Sequence, residues 1–140
     1  MGSPLDNLVA IGRLKIEPAV QAELDGLLHS GATRIKDAEI ESLSLESRFD
    51  LAYNAAHAFS LAALRHRGFR SDNRYLVFQT LAHTVSLPPI EWRVLDEGHK
   101  KRNQTEYEGA ADIDLVLVNA IIRVARSVEA RVLALGPVPA

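Results

Sequence analysis

Hydrophobic residues recur every three or four positions along most of the chain, which is the spacing of α-helices with one buried face. The clearest example is the segment from Leu45 to Arg67, where two parallel apolar lines are rich in alanine. Gly68 follows a basic last turn there, as is typical of a helix C-terminus. Because lines of small residues let neighbouring helices approach closely, this segment is predicted to be a central helix of the fold.

Helices are also predicted in the chain before this central segment. A short helix is expected from about Leu5 to Leu14. A long helix is then predicted to begin with Pro18 in its first turn, where the missing N–H of proline costs nothing. Its apolar stripe continues past Gly31 to Leu43, so the glycine is interpreted as a weak point inside one helix.

The chain after the central segment predicts three more helices. Residues 71–73 form an N-cap signal for a helix that ends at the proline pair 88–89, and the next helix runs from these prolines to Gly109. The last helix begins near Asp112 or Asp114 and has apolar residues on two faces. We therefore expect it to be buried on one face by the bundle and on the other by a partner.

These patterns predict an all-α, antiparallel helical bundle of about five helices. Residues 1–140 are expected to form a single domain, with residues 1–4 and 136–140 as flexible ends. No apolar run approaches the roughly 18 residues of a membrane span, and the amino end does not resemble a secretory leader. Cysteine is absent, which excludes disulfides and thiolate metal sites and fits a cytoplasmic protein.

Charge and motifs exclude several classes of function. The net charge is −2, so any binding to nucleic acid has to come from a local basic patch and not from overall charge. The histidines do not form a His-Glu-x-x-His pair, and the chain has no glycine-rich nucleotide loop and no Gly-x-Ser-x-Gly elbow. We therefore expect no metal and no cofactor.

The segment 99–109 concentrates the polar residues that suit a phosphate. Arg102 can hold a phosphate with two hydrogen bonds, Asn103 can orient it, and Tyr107, one helical turn beyond Asn103, can stack on a base. His99, Lys100 and Lys101 add positive electrostatic potential around this segment. A purely structural interpretation is also open, in which Arg102 only pairs with Glu106 and Tyr107 is a half-buried packing residue.

The pair Arg102-Asn103, followed by Tyr107 late in a helical bundle, resembles the Arg-Asn signature of HEPN domains. Residues 49–58 are similar to the aromatic- and alanine-rich second long helix of that family, and the likeness extends from about Pro18 to Val132. The resemblance implies an α-bundle that dimerises through its long helices. It also implies either a metal-independent ribonuclease, often a toxin paired with a minimal nucleotidyltransferase, or a non-catalytic RNA- or nucleotide-binding module.

One departure from the family pattern bears on activity. The catalytic motif of the family places a histidine four to six residues after the arginine, and no histidine follows Arg102 in this chain. Tyr107 occupies that position, and a phenol with an ordinary pKa of about 10 is a poor general base. The sequence thus predicts a homodimeric RNA- or nucleotide-binding module that uses Arg102, Asn103 and Tyr107, with Lys100 and Lys101 supplying charge.

Two alternatives remain open. In a ribonuclease, Arg102 would stabilise the transition state while Tyr107 or His99 transfers protons. In a protein-interaction subunit, the apolar last helix would bind a partner and the basic segment would have no role toward nucleic acid.

The central helix carries a further polar group that could support the site. Tyr53, Asn54 and His57 are within one turn of each other, so together they could complete a pocket with Arg102. A buried, internally hydrogen-bonded cluster is the other interpretation. Arg65 and Arg70 belong to a second basic cluster that could extend a nucleic-acid surface.

Overall fold

The computed structural model describes residues 3–109 and 112–139. In these ranges the chain is mostly helical, and the predicted all-α helical bundle is confirmed. The elements in chain order are α1 (Pro4–Ala10), β1 (Lys15–Ile16), α2 (Gln21–Ala38), α3 (Leu45–His66), β2 (Phe69–Arg70), α4 (Arg74–Gln79), α5 (Leu81–Thr84), α6 (Pro89–Glu108) and α7 (Leu115–Ala134). The two short strands pair antiparallel, with Lys15 opposite Arg70.

Helix α3 is the centre of the bundle, as its alanine lines predict. It packs mainly against α2 and α7, and it also contacts α4, α5 and α6. The alanines of both lines are buried, and Phe49 and Phe59 fill the space that they leave. Ser44 begins the helix by accepting a hydrogen bond from the backbone N–H of Ser47 at 3.1 Å.

The start of α2 differs from the prediction, because Pro18 lies outside the helix, which begins only at Gln21. The cause is Arg65, whose guanidinium donates hydrogen bonds to the backbone carbonyls of Glu17 at 2.7 Å and Pro18 at 2.8 Å. These bonds hold the segment before α2 against the end of α3. Leu43 also lies outside the helix, which ends at Ala38.

Arg65 is only 1% exposed, so it does not extend any nucleic-acid surface. Its Nε atom donates to Glu23 at 2.6 Å, and Arg70 pairs with Glu17 at 2.6 Å and also with Glu23. Hydrogen bonds from Arg65 and then Arg70 lower the pKa of the Glu23 carboxyl. Arg65 and Arg70 are therefore part of an ion-pair network, buried at Arg65 and partly exposed at Arg70, that joins α2, α3 and β2.

The predicted helix over residues 71–88 is split into α4 and α5 at Thr80. The Thr80 hydroxyl donates to the carbonyl oxygen of Val77 at 2.7 Å, which competes with the regular helical bonding there. Trp92 of α6 packs behind this bend and donates its indole N–H to the carbonyl of Phe78 at 3.1 Å. The bend turns the start of α4 toward the second half of α6.

The residues of both predicted apolar faces of α7 are buried within the single chain, apart from Leu115 at its start, whereas Val116 and Leu133, outside these faces, are exposed. The helix packs mainly on α3 and also contacts α6 and α2. The two-sided pattern thus needs no partner to explain it. Within the described residues, no helix is both long enough and apolar enough to cross a membrane.

Candidate functional site

A cleft of about 650 Å³ opens between the start of α4 and the second half of α6. Helix α6 is polar over this half because it extends beyond the core, and its only buried residues are Leu95 and Gly98. Asn73 caps α4 by accepting a hydrogen bond from the N–H of Leu76 at 3.0 Å. The residues that line the cleft are Asp72, Asn73, Arg74, Tyr75, Asp96, His99, Lys100, Arg102, Asn103 and Tyr107.

His99 is held at the base of the cleft by contacts on both ring nitrogens. Its Nδ1 atom lies 3.0 Å from the hydroxyl oxygen of Tyr53, and its Nε2 atom lies 3.3 Å from Nδ2 of Asn103. Because an amide nitrogen only donates, this orientation of the amide makes Nε2 the acceptor and leaves the proton on Nδ1. The imidazole therefore donates to the phenol and keeps a lone pair on the side of Asn103.

The imidazole of His99 is neutral at pH 7. Burial lowers its pKa from the ordinary value, and the nearby positive charge of Arg102 lowers it further, while Asp96 acts in the opposite direction. A neutral imidazole accepts a proton in this pH range, whereas an imidazolium does not. A neutral His99 can thus act as a base if Asn103 releases its Nε2 atom.

Two guanidinium groups from different helices lie against the buried ring of Tyr53. The Cζ atom of Arg102 is 5.4 Å from the ring centroid and that of Arg74 is 5.7 Å away, distances at which a cation is attracted to an aromatic face. Burial raises the pKa of the Tyr53 phenol, and the two arginines oppose this effect only in part. The phenol therefore stays neutral, with the positive charges of Arg74 and Arg102 close to its ring.

The cations of the cleft are balanced to different degrees. Lys100 pairs with Asp96 at 3.1 Å, and Arg102 pairs with Glu106 at 3.4 Å in an i,i+4 contact. Arg74 instead donates to the amide oxygen of Asn54 at 2.8 Å, and within the described residues it has no carboxylate partner. Its charge is consequently available to an anion.

The structure brings most of the residues predicted from segment 99–109 into this one cleft. His99, Lys100, Arg102 and Asn103 line it, and Tyr107 stands at its rim with 82% of its surface exposed. This exposure rules out the interpretation of Tyr107 as a half-buried packing residue.

Lys101 is not part of the lining. Its backbone carbonyl accepts a hydrogen bond from the Thr105 hydroxyl at 3.1 Å, within the helix itself.

The polar group of α3 is divided between two places. Tyr53 lies beneath the cleft and contacts His99, whereas Asn54 and His57 line a separate, smaller cavity on the far side of Arg74. His57 packs edge-on against Phe78, with ring centroids 6.1 Å apart, and its Nε2 atom is buried without a hydrogen-bond partner among the described residues. Of these three residues, only Tyr53 is therefore both buried and hydrogen-bonded, as the structural interpretation of the cluster expected.

Sequence reasoning missed the part of the cleft that α4 contributes. Residues 71–73 were interpreted only as a helix cap, and the neighbouring Arg74 and Tyr75 were not singled out. The ring of Tyr75 lies 5.1 Å from that of His99, centroid to centroid. The available signal was an arginine and a tyrosine directly after a cap, in the first turn of a helix that faces a second basic segment.

No group of three His, Asp or Glu residues within ranges 3–109 and 112–139 is arranged to hold a metal ion.

Comparisons of the chain with protein-family models, with curated proteins and with solved structures gave no match.

Proposed function

We propose that this chain is a HEPN-like RNA-binding module whose cleft holds an RNA phosphate between Arg74 and Arg102. The observation that carries the proposal is the convergence of these two guanidiniums, from α4 and α6, over the single buried ring of Tyr53. Guanidinium groups bind phosphate oxygens through paired, charge-assisted hydrogen bonds. Two of them held on separate, packed helices form a preorganised phosphate clamp.

Aromatic and amide groups around the clamp suit a nucleotide better than a simple anion. Tyr75 lies inside the cleft and Tyr107 at its rim, so bases on either side of the phosphate have a ring on which to stack. Asn103 and Asn73 supply amide groups for hydrogen bonds to base edges. The combination of basic and aromatic side chains is typical of surfaces that bind single-stranded nucleic acid.

The ion pairs already present in the cleft are weak enough for a phosphate to displace. The pair between Arg102 and Glu106 joins a half-buried arginine to an exposed carboxylate, and surface i,i+4 pairs contribute only about 0.3–0.5 kcal/mol. When a phosphate bridges Arg74 and Arg102, Arg102 gives up one weak ion pair with Glu106, and two charge-assisted contacts to the phosphate form in its place. RNA binding at this site should therefore be salt-dependent despite the net charge of −2.

The proposal about partners rests on the family resemblance alone. We propose a homodimer, in which the two-fold axis would bring two such clefts together, and a minimal nucleotidyltransferase as a heterologous partner. Light scattering of the purified chain tests the homodimer directly. A monomer at all concentrations would contradict it and leave the phosphate clamp to be judged separately.

The RNA-binding proposal is tested by fluorescence anisotropy with a labelled single-stranded RNA at several salt concentrations. Arg102→Ala and Arg74→Ala should each weaken binding about tenfold, which corresponds to about 1.4 kcal/mol. Each should also reduce the slope of log affinity against log salt by about 0.7. If both variants bind RNA as the wild type does, the clamp is not the binding site.

Arg93→Ala provides the matched control for these two variants. Arg93 is exposed on the same helix as Arg102, nine residues earlier and therefore on the opposite face, about 13 Å away along the axis. It does not line the cleft. Its substitution removes the same charge and should leave RNA affinity within about twofold of the wild type.

A metal-independent ribonuclease is the second candidate, and the position of His99 favours it. The neutral imidazole lies in the same cleft as Arg102, and its Nε2 lone pair, which accepts from Asn103 here, would take a proton from a ribose 2′-hydroxyl once the Asn103 amide turns aside. Arg102 would then stabilise the negative charge that develops on the phosphate. This arrangement would place the base three residues before the arginine, on the same helix face.

Cleavage of a labelled RNA in the presence of a metal chelator tests this candidate. If the chain is a ribonuclease, His99→Gln and Arg102→Ala should abolish cleavage while Tyr107→Phe retains it. Binding without cleavage would leave the binding module alone. If the chain shows neither, the remaining interpretation is a protein-interaction subunit.

A further inference from the structure

A second cavity of about 190 Å³ lies between α2 and α3, on the other side of Arg74 from the cleft. Its apolar floor is formed by Leu27, Ala58 and Leu61. The polar lining consists of two arginines, a histidine, an asparagine and a serine: Arg34, Arg74, His57, Asn54 and Ser30. In contrast to the larger cleft, this lining contains no carboxylate.

Arg74 lines both cavities, so its side chain forms the boundary between them. Its guanidinium is held in place by the amide oxygen of Asn54 at 2.8 Å, and Asn54 itself belongs to the second cavity. Tyr53 beneath the cleft and His57 in the second cavity are one turn apart on α3. The two cavities are therefore neighbours along one helix face, with one shared positive charge between them.

Arg34 contributes the second charge. Its guanidinium contacts the hydroxyl and carbonyl oxygens of Ser30 on the preceding turn of α2. Within the part of the chain that the structure describes, no carboxylate lies within 4.0 Å of either Arg34 or Arg74. Two arginines thus face one small cavity without a charged partner in the chain.

His57 leaves one buried hydrogen-bonding atom without a use inside the protein. Its Nε2 atom has no partner among the described residues, although a buried polar atom of this kind usually has one. Burial first, and then the charges of Arg74 and Arg102, lower the pKa of His57 to about 4, so the ring is neutral at pH 7. His57 therefore adds no charge to the cavity, whose positive charge comes from Arg34 and Arg74.

We propose that this cavity is a second phosphate subsite, and that one RNA strand runs from the cleft across Arg74 to Arg34. The proposal rests on the proposed function of the cleft and extends it, because it makes an oligonucleotide the ligand and not a mononucleotide. The size of the cavity fits this assignment. Sites that enclose a drug-sized ligand measure about 300–1,000 Å³ and a water occupies about 30 Å³, so this cavity suits a phosphate group without its base.

The test compares a mononucleotide with an oligonucleotide on three variants. Affinity for uridine 5′-monophosphate is measured by calorimetry, and affinity for a labelled oligouridylate of about eight nucleotides by anisotropy. Arg34→Ala should weaken the oligonucleotide about tenfold and lower its salt slope by about 0.7, and should leave the mononucleotide unchanged. Arg102→Ala should weaken both ligands.

Lys36→Ala is the matched control, because Lys36 is exposed on α2 two residues after Arg34 and points away from the cavity. It should leave both affinities unchanged. Arg34 is itself exposed, so its substitution should not prevent folding, and circular dichroism melting checks that.

Two results would overturn the second subsite while the proposed function stands. The first is an Arg34→Ala variant that binds the oligonucleotide as Lys36→Ala does, while Arg102→Ala weakens it. The second is an Arg34→Ala variant that loses affinity for the mononucleotide and the oligonucleotide equally, because the two cavities would then be one site. If Arg102→Ala changes neither affinity, the proposed function fails, and the second subsite fails with it.

Discussion

The Nδ1 atom of His99 lies 3.0 Å from the hydroxyl oxygen of Tyr53, a residue 46 positions earlier in the chain. Tyr53 is almost fully buried in α3, while His99 lies at the base of the cleft on α6. This contact ties the polar half of α6 to the rigid centre of the bundle. The position of Arg102, one turn after His99, is thereby set by the core as well as by its own helix.

Removing the hydroxyl of that contact should weaken the fold and release the imidazole. Tyr53→Phe leaves Nδ1–H of His99 without its acceptor, and we expect the free energy of unfolding to fall by about 1 kcal/mol. Urea denaturation measures the loss, and nitrogen chemical shifts report whether the proton moves to Nε2. Tyr107→Phe, which removes an exposed hydroxyl, should change the stability by less than about 0.5 kcal/mol. Equal effects of the two substitutions would contradict the structural role of the contact.

The buried imidazole of His57 should make the fold sensitive to acid. Its pKa is lowered from 6.5 to about 4, so between these values unfolded His57 binds a proton that folded His57 does not bind. The free energy of unfolding should consequently fall as the pH falls through this window, by about 3 kcal/mol in total. Above pH 6.5 this contribution is fully present.

His57→Gln should flatten this dependence in urea unfolding series taken between about pH 4 and pH 7. His29→Gln, which removes an exposed histidine of α2, should keep the wild-type slope. Identical slopes in His57→Gln and the wild type would mean that folding does not lower the pKa of His57.

Removing the carboxylate that pairs with Arg102 should strengthen RNA binding. Glu106→Gln frees the guanidinium from a 3.4 Å ion pair, and we expect affinity to rise about twofold with stability unchanged to within about 0.5 kcal/mol. Glu108→Gln removes an equal charge from the same helix, without an ion pair in the described residues, and measures the general electrostatic effect. Fluorescence anisotropy at low salt measures the RNA affinity of both variants. The idea fails if Glu106→Gln binds no better than Glu108→Gln.

Two glycines of α2 should respond to alanine in opposite directions. A Cβ atom at Gly31 would lie 2.7 Å from Cδ1 of the Phe59 ring, so Gly31→Ala should lower the free energy of unfolding by about 1–3 kcal/mol. Gly26 has nothing within 4 Å of the same position, and Gly26→Ala should raise stability by about 0.5–1 kcal/mol through helix propensity. Thermal melting of both variants decides this, and a stabilising Gly31→Ala would show that α2 and α3 can move apart.

Gly31 shows which features of α2 can be predicted from the sequence pattern of that helix and which cannot. The sequence predicted a helix that runs through this residue, and α2 does so. The glycine was interpreted as a weak point because helix propensity is a property of one segment. Its actual use is the close approach of Phe59, which belongs to another helix and cannot be inferred from spacing within α2.

Helix-breaking signals were similarly informative only where the cause is local. Gly109 ends its helix where the pattern placed it, and of the two aspartates that the pattern left open, Asp114 is the N-cap of the last helix, because capping involves neighbouring residues. Pro18 was misjudged, since a buried arginine from the end of α3 binds the backbone there. No residue near Pro18 carries that information.

The sequence by itself determined the all-α class, the approximate helices, the alanine-rich centre and the basic segment that contains Arg102. Each follows from interactions within a turn or two of one helix, so the spacing of residue types is sufficient to find them. The tertiary structure alone decided that Arg74 and Arg102 both lie against the ring of Tyr53, that Arg65 is buried, and that both predicted apolar faces of α7 are largely covered within one chain. These outcomes depend on which helices pack together, and packing joins residues that are distant in the chain and share no period.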